Sequence, residues 1–362
     1  MQNRDTPPSV PLPEVFAKPW PPAPVGGGFA MEDYWIWCGS VAKGEDGRYH
    51  MFSSRWPRSL QFSHWAVASE VVRAVSDRPE GPYEFAEVVL PARPDMEAFD
   101  NRVTHNPCIV RAGDRWLLFY TGTTYQGATP TAEDPGSWAG RRSMEAWHNK
   151  RVGMATASRI TGPWTRPTET ILPTRPDRWD SVITSNPAAC VTPEGGILLL
   201  YKSTADRHNE DGRFLGRFRI GVALAKDPDS PFARPRQDPI LQFDDPTAHV
   251  EDPFVWHQDG RYWAIMKDMN GVLCGDPEAG IAASSADGIH WALTDPPTAY
   301  TRTIHWSDGT TTRPRKMERP QILFHNGQPS HLFFATNNAT EESRQATRTW
   351  NMVRPLQIQP AD

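Results

Sequence analysis

The sequence of 362 residues predicts an all-β fold, a five-bladed β-propeller whose four-stranded blades surround a central channel. Three observations predict it. A unit of near-constant length recurs five times, each unit reads as several short apolar runs separated by turns, and the composition is rich in turn residues, with 36 Pro and 26 Gly. Short strands and turns that repeat at a fixed period are typical of propellers and other repeat folds.

Each unit begins with polar residues, a proline and an apolar strand. Four copies read HNPCI, SNPAA, EDPFV and ERPQI, and WCGSV is a degenerate first copy. With Ser40 as the proline equivalent of that copy, successive units are spaced by 67, 80, 66 and 67 residues, at Ser40, Pro107, Pro187, Pro253 and Pro320. Because the innermost strands of a propeller line its channel, we expect these stretches to converge at one face.

The later parts of each unit follow the same plan. In the first unit, WCGSVAKG and RYHMFSSRW flank an Asp-Gly turn typical of a hairpin, and WAVASEVVRAVS and GPYEFAEVVL follow. The turns GPYEF, GPWTR, SPFAR and GIHWA lie at matching places in four units. The outer strands of the fifth unit are the least clear, so we expect the N-terminal segment to complete that blade. Insertions at 125–150 and 301–316 are expected to be functional loops or oligomer contacts.

We expect residues 1–30 to form an extended Pro-rich segment and residues 31–362 a single propeller domain. The formal charge of −5 does not indicate a nucleic-acid partner, and no apolar run is long enough to span a bilayer. The N-terminus lacks the apolar core of a secretion signal, which predicts a cytoplasmic protein. The four cysteines are expected to be small buried thiols without disulfides. The oligomeric state stays open.

Polar residues from all five units are predicted to meet at the channel. Segments FDNRVTHNP and WDSVITSNP align residue by residue, so Asp100 and Asp180 occupy the same position in neighbouring blades. They either brace the loop before the strand, as Asx turns do, or face a ligand. The other candidates at this face are Asp33, His105, Asn106, Asn186, Glu251, Asp252, Glu318 and Arg319.

Three of these candidates are carboxylates, Glu251, Asp252 and Glu318. Carboxylates gathered at one place repel each other and raise the pKa of at least one of them, which lets that group hold a proton. A carboxylic acid beside a carboxylate is what glycoside cleavage requires. The alternative interpretation is a set of buried salt bridges that involves Arg319 and a lysine.

Basic residues recur at matching places on the second strands, at Arg55, Lys202 and Lys267. Together with Arg319, they either pair with the carboxylates or bind an acidic group of a ligand, such as a uronate or a sulfate. Aromatic side chains could stack on a sugar ring, although most tryptophans in sheet proteins lie in the core. The aromatic candidates are Trp35, Trp37, Trp56, Trp65 and Tyr125.

On these repeats and site residues, the sequence resembles the five-bladed propeller glycoside hydrolases of families 43, 32 and 117. The resemblance implies a first-blade aspartate as base or nucleophile, an aspartate that modulates a pKa, and a glutamate two residues before a proline as general acid. Carried over, Asp33 is the base, and Glu251 or Glu318 is the acid. The third blade has Asn-Pro, so Asp252 matches the modulator instead. Family 117 also implies His105 as an acid.

The sequence therefore predicts a glycosidase that acts from the end of an oligosaccharide, one that carries either neutral or acidic sugars. The retaining or inverting outcome stays open. Two alternatives keep the fold: a carbohydrate lyase or phosphorylase in which His105 or a tyrosine transfers the proton, and a non-catalytic propeller that binds a glycan or a protein. No histidine or cysteine pair has a metal-ligand spacing, so no cofactor is expected, although a structural calcium ion in the channel would suit the fold.

Overall fold

The computed structural model describes residues 7–134 and 140–356. The N-terminal segment, the first insertion and the propeller domain predicted from the sequence each extend beyond these ranges. Within the described residues the chain forms five antiparallel sheets of three or four strands, a small hairpin and three short helices. The all-β prediction is confirmed.

Two of the five sheets have four strands. Blade one contains β1 (Tyr34–Lys43), β2 (Tyr49–Pro57), β3 (Glu70–Ser76) and β4 (Glu84–Leu90). Blade four, further along the chain, contains β11 (Val250–Gln258), β12 (Arg261–Asp268), β13 (Gly280–Ser285) and β14 (Ala292–Tyr300). Four-stranded blades are confirmed here.

The three other sheets have three strands each, so the prediction of four strands in every blade is wrong for them. Their outer edges carry only isolated bridges, such as Thr156 with Thr165 and Leu224 with Ala233, because Pro-rich segments there cannot extend a ladder. Blade two contains β5 (Val103–Ala112), β6 (Arg115–Thr123) and β7 (Arg151–Ala157), and blade three contains β8 (Ile183–Val191), β9 (Ile197–Thr204) and β10 (Arg219–Ala225). Blade five contains β17 (Met317–His325), β18 (Gln328–Asn337) and β19 (Thr349–Pro355). Between blades four and five, β15 (Ile304–His305) and β16 (Thr311–Thr312) form the small hairpin.

The first strands of the five blades form a closed ring. Strand β1 contacts β5, β5 contacts β8, β8 contacts β11, β11 contacts β17, and β17 returns to β1. Hydrophobic clusters lie between successive blades, as with Phe119 and Leu199 between blades two and three, and Ile36 and Phe333 between blades one and five. The core is therefore divided into layers between neighbouring sheets, and the ring of contacts agrees with the predicted five-bladed arrangement.

The N-terminal segment packs along blades four and five. Phe16, at the end of helix α1 (Glu14–Ala17), joins the cluster between these blades. Further on, the backbone N–H and C=O of Phe29 exchange hydrogen bonds of 2.9 Å with Asn351 in β19. Residues from the start of the chain thus pair with the outer strand of the last blade, as expected, and link the two ends of the ring.

Two segments cover the channel face of blades one and two. A 3-10 turn (Phe62–His64) and helix α2 (Trp65–Ala68) connect β2 to β3, and helix α3 (Arg141–His148) lies in the first insertion. Helices α2 and α3 contact each other. No helix of the described residues is long and apolar enough to cross a membrane.

Candidate active site

Each first strand carries one residue with a left-handed backbone at the same point. The φ angles are between 48° and 56°, and each residue lies where the register with the second strand shifts. Such bulges redirect side chains, and Asn and Asp tolerate this conformation best among residues with a side chain. The five equivalent residues are Cys38, Asn106, Asn186, Asp252 and Arg319.

This equivalence corrects the sequence alignment of the first unit by one residue. Gly39, not Ser40, takes the place of the proline, because Cys38 has the left-handed backbone and the register shifts between Trp37 and Ser40. The physical reason is a contact with blade five. The backbone N–H of Gly39 donates to Oδ1 of Asn351 at 3.0 Å, a bond that proline cannot make. The first-blade position of the site is therefore Cys38.

The side chains of these residues form a chain of hydrogen bonds around the channel. The thiol of Cys38 donates to Oδ1 of Asn106 at 2.8 Å, and Nδ2 of Asn106 donates to Oδ1 of Asn186 at 2.7 Å. Nδ2 of Asn186 then donates to Oδ1 of Asp252 at 2.5 Å. Nη1 of Arg319 lies 3.7 Å from the same carboxylate oxygen. The three hydrogen bonds thus run in one direction and end at Asp252, the one carboxylate among the five.

A cluster of lysines holds the two glutamates beside this ring. Nζ of Lys267 lies 2.6 Å from Oε1 of Glu251 and 2.7 Å from Oε1 of Glu318. Nζ of Lys202 binds Oε2 of Glu251 at 2.8 Å, and Lys316 lies 3.1 Å from Oε1 of Glu318. Both oxygens of Glu251 are thus occupied. Within the described residues, Oε2 of Glu318 accepts no hydrogen bond.

Burial and charge shift the carboxyl pKa values in opposite directions. Burial and the neighbouring charge of Glu251 raise the pKa of Asp252. Burial also acts to raise the pKa of Glu251, but Lys202 and Lys267 outweigh it and hold that pKa well below its usual value. For Glu318, Lys267 and Lys316 likewise outweigh burial and lower the pKa to about 2. Of the three carboxyls, Asp252 is the one whose pKa is raised, so the arrangement favours a proton on Asp252.

Above these carboxylates is a small pocket of about 100 Å³ with aromatic walls. The ring of Phe62 lies 5.1 Å from Trp37 and 5.4 Å from Trp56, and Trp65 stacks on His105 at 4.9 Å. The indole N–H of Trp56 is buried without a partner among the described residues. Aromatic faces beside polar groups are typical of small-molecule sites.

The pocket brings together most of the residues proposed from the sequence. Trp37 and Trp65, suggested as stacking faces, also line it, whereas Trp35 and Tyr125 donate to backbone oxygens of Leu60 and Val67 within the core. The residues proposed for catalysis or substrate binding that line the pocket are Trp56, His105, Asn106, Asn186, Lys202, Glu251, Asp252, Glu318 and Arg319.

Four of the proposed site residues do not line the pocket. Asp33 is exposed on the bend before β1, outside the pocket, so it is not placed to act as base there. Arg55 pairs with Glu70 at 2.9 Å between two aromatic rings of blade one. Asp180 is fully buried against two arginines and a tyrosine, and so braces its loop. Lys267 has no exposed surface, and its ammonium forms ion pairs with Glu251 and Glu318.

The proposed division of catalytic roles changes as well. The sequence predicted that Glu251 or Glu318 is the general acid. The lysines favour the ionised forms of both glutamates, so neither is suited to donate a proton. His105 is also a poor acid, because burial and the charge of Lys150 hold its pKa well below the usual value. Its Nδ1 lies 2.8 Å from the hydroxyl of Ser69. Asp252, predicted only to tune the acid, is the group best suited to hold a proton.

Sequence reasoning missed Cys38 and Phe62, which line this pocket, and Lys150, whose ammonium faces the ring of Trp65 in the pocket wall. The motif Trp-Cys-Gly carried the signal for Cys38, because glycine replaces proline when the backbone N–H is needed. Phe62 and Lys150 lie on connections that differ from blade to blade, where the repeat offers no signal. Among the described residues, no group of three or more His, Cys, Asp or Glu side chains is arranged to hold a metal ion.

No protein-family model and no curated protein sequence matches the chain. Solved structures do match. A structure of a complex between BT0996 and RGII has a TM-score of 0.66 at 12% identity, over 94% of this protein and 93% of the matched one.

Two further structures show the same likeness. A family 117 glycoside hydrolase from Zobellia galactanivorans has a TM-score of 0.61 at 15% identity over 93% of this chain and 88% of its own. An alpha-L-arabinofuranosidase from Lactobacillus brevis has a TM-score of 0.56 at 12% identity over 89% and 91%. The chain thus has the fold of β-propeller glycoside hydrolases, and the resemblance predicted from the sequence is confirmed at the level of fold.

Proposed function

We propose that this protein is a glycoside hydrolase that removes single sugars from the end of an oligosaccharide. The observation that carries the proposal is the opposite pKa shift of neighbouring carboxyls in one aromatic pocket, raised for Asp252 and lowered for Glu318. A small pocket at the channel mouth suits a terminal sugar better than the middle of a chain. The fold shared with glycoside hydrolases supports the same conclusion.

Asp252 is the proton donor in this proposal. Glycosidic bond cleavage requires an acid that protonates the leaving oxygen, and a raised pKa favours the protonated form that such an acid needs. The negative charge of Glu251 contributes to that raised pKa. Since lysines bind both of its oxygens, Glu251 acts through Asp252 and not on the sugar.

Glu318 is the carboxylate partner. Its low pKa keeps it ionised, and its Oε2 accepts no hydrogen bond from the described residues, so that oxygen is available to a sugar carbon or to a water molecule. A carboxylate of this kind acts as nucleophile or as base in glycoside hydrolysis. Lys267 and Lys316 hold it in place and compensate its charge.

The test compares single variants on a panel of aryl glycosides and oligosaccharides. Asp252→Asn and Glu318→Gln should each lower kcat by about a hundredfold or more, the range expected for lost acid–base or nucleophilic catalysis. The loss in Asp252→Asn should be smaller for a glycoside with a good leaving group, because that group needs no proton. Asp33→Asn, exposed and outside the pocket, is the matched control and should retain wild-type turnover. Unchanged turnover in both site variants would refute the proposal.

A second candidate function is a propeller that binds a glycan without cleaving it. The observation in its favour is Cys38 at the first-blade position, together with Asn186 on the third blade, where the resemblance to family 43 implies aspartates. Calorimetry combined with a product assay separates the two functions. A sugar that binds in the pocket and is never cleaved, by wild type as by Asp252→Asn, would favour the binding protein.

A further inference from the structure

Lys150 is a buried lysine without a counterion among the described residues. It lies directly before β7, with a relative exposure of 2%. Its ammonium is 4.2 Å from the ring centre of Trp65 and 4.7 Å from that of Trp147. Within the described part of the chain it forms no hydrogen bond and no ion pair through this group, so the two aromatic faces are what it contacts.

The other buried lysines of the described chain are compensated. Lys202, 5% exposed, binds Glu251, and Lys267, with no exposed surface, binds Glu251 and Glu318. A buried cation is normally paired, since cation–π contacts return only part of the hydration that burial removes. Residues 7–134 and 140–356 therefore supply no counterion for the protonated form of Lys150.

This lysine lies beside the candidate active site. Trp65, which the ammonium of Lys150 faces, lines the pocket and stacks on His105. Lys150 also lies within the electrostatic influence of Lys202, Glu251 and Asp252, all of which line the same pocket. Burial and the like charge of Lys202 hold the pKa of Lys150 well below its usual value.

The carboxylates of the pocket are already engaged. Lysines occupy both oxygens of Glu251, and Asn186 donates to Asp252. Glu318 is held by Lys267 and Lys316. A counterion for Lys150 must therefore come from outside these residues.

We propose that Lys150 binds an anionic group, a carboxylate or a sulfate, on the sugar that occupies this pocket. The inference rests on the proposed carbohydrate function and specifies its substrate class. The two indole rings hold the lysine side chain in place, and a bound anion stabilises the protonated amine that burial disfavours. Neutral sugars lack this contact, so Lys150 distinguishes acidic from neutral sugars.

The test is a comparison of binding by calorimetry. The probes are glucuronate and galacturonate, a 6-sulfated galactose, and neutral glucose and galactose. The proteins are the wild type, Lys150→Met, and Lys226→Met as the matched control, because Lys226 is exposed on the loop after β10. The uronates and the sulfated sugar separate a carboxylate ligand from a sulfate ligand.

Wild type and Lys226→Met should bind at least one acidic sugar about tenfold more tightly than its neutral counterpart, the gain of one charge-assisted contact. Lys150→Met should lose this preference and keep its affinity for the neutral sugar. Thermal unfolding verifies the fold of each variant, and Lys150→Gln replaces Lys150→Met if that variant does not fold. Equal binding of acidic and neutral sugars by the wild type, or a preference that persists in the Lys150 variant, overturns the inference.

Sugar release, measured on the same samples, separates this inference from the proposed function. A protein that binds acidic sugars through Lys150 and cleaves none of their glycosides supports the inference and refutes hydrolysis. A protein that cleaves neutral glycosides and shows no preference for acidic sugars refutes the inference alone.

Discussion

The side-chain amide of Asn186 donates a hydrogen bond of 2.5 Å to the carboxyl of Asp252, across the boundary between blades three and four. This bond is the last of three that run in one direction around the channel, from the thiol of Cys38 through two asparagines. The orientation of each amide follows from its neighbour, since an amide that donates on one side must accept on the other. The chain therefore positions Asp252 from a residue several blades away.

Replacement of Cys38 should impair catalysis through this chain. Cys38→Ala leaves Oδ1 of Asn106 without its donor, and a lost hydrogen bond of about 1 kcal/mol corresponds to about a fivefold lower kcat. Because amide donation favours the charged form of Asp252, a disordered chain should also raise its pKa and move the basic limb of the pH profile upward. Cys38→Ser restores a donor and should stay close to wild type. Identical pH profiles in wild type and Cys38→Ala would contradict this role for Cys38.

The ionised state of Glu318 should make the protein less stable in acid. Its pKa is about 2 in the folded protein against an ordinary value of 4.5, because Lys267 and Lys316 outweigh burial. The unfolded chain therefore binds a proton more readily, so the stabilisation is complete above pH 4.5 and is lost as the pH falls toward 2.

Urea unfolding at several pH values between 7 and 2 measures this effect. Glu318→Gln should be less stable than wild type at pH 7 and should lose less stability on acidification. Glu84→Gln, which changes an exposed residue of β4, is the control and should follow the wild-type curve. Parallel curves for wild type and Glu318→Gln would show that this glutamate does not contribute to acid sensitivity.

Asp180 should matter for stability and not for catalysis. It is fully buried, with Nε of Arg175 at 2.9 Å, Nε of Arg234 at 3.1 Å and the hydroxyl of Tyr201 at 2.9 Å. Asp180→Asn leaves two half-buried arginines without their carboxylate, which costs about 3–5 kcal/mol in the free energy of unfolding. Turnover below the unfolding transition should remain that of the wild type.

Asp100 offers an internal comparison in the neighbouring blade. It pairs with Arg93 and Arg166 and accepts from Tyr120, so Asp100→Asn should be destabilised to a similar degree. Asp77→Asn, at an exposed ion pair, should change stability by less than about 0.5 kcal/mol. A selective loss of turnover in a folded Asp180→Asn protein would show that this residue acts in the site after all.

The repeat could be recognised in the sequence because each blade must bury the same apolar face and turn at the same place. It therefore predicted the five-bladed ring and placed Glu251, Asp252, Glu318 and Arg319 at one channel. Departures from the repeat were harder to interpret. Asp33 matched the family pattern by residue type alone, and the shift at Gly39 depends on a hydrogen bond to Asn351, which is 312 residues away in the chain.

What the sequence by itself determined is the fold and most of the polar residues that meet at the channel, because periodicity and turn chemistry are local properties. What only the tertiary structure decided is the state and role of each residue. Whether a carboxyl holds a proton depends on which charges lie within a few ångströms of it, and these come from different blades. Lys202, Lys267 and Lys316 favour charged glutamates, burial favours protonated Asp252, and Lys150 is left without an anion among the described residues; no local pattern encodes these differences.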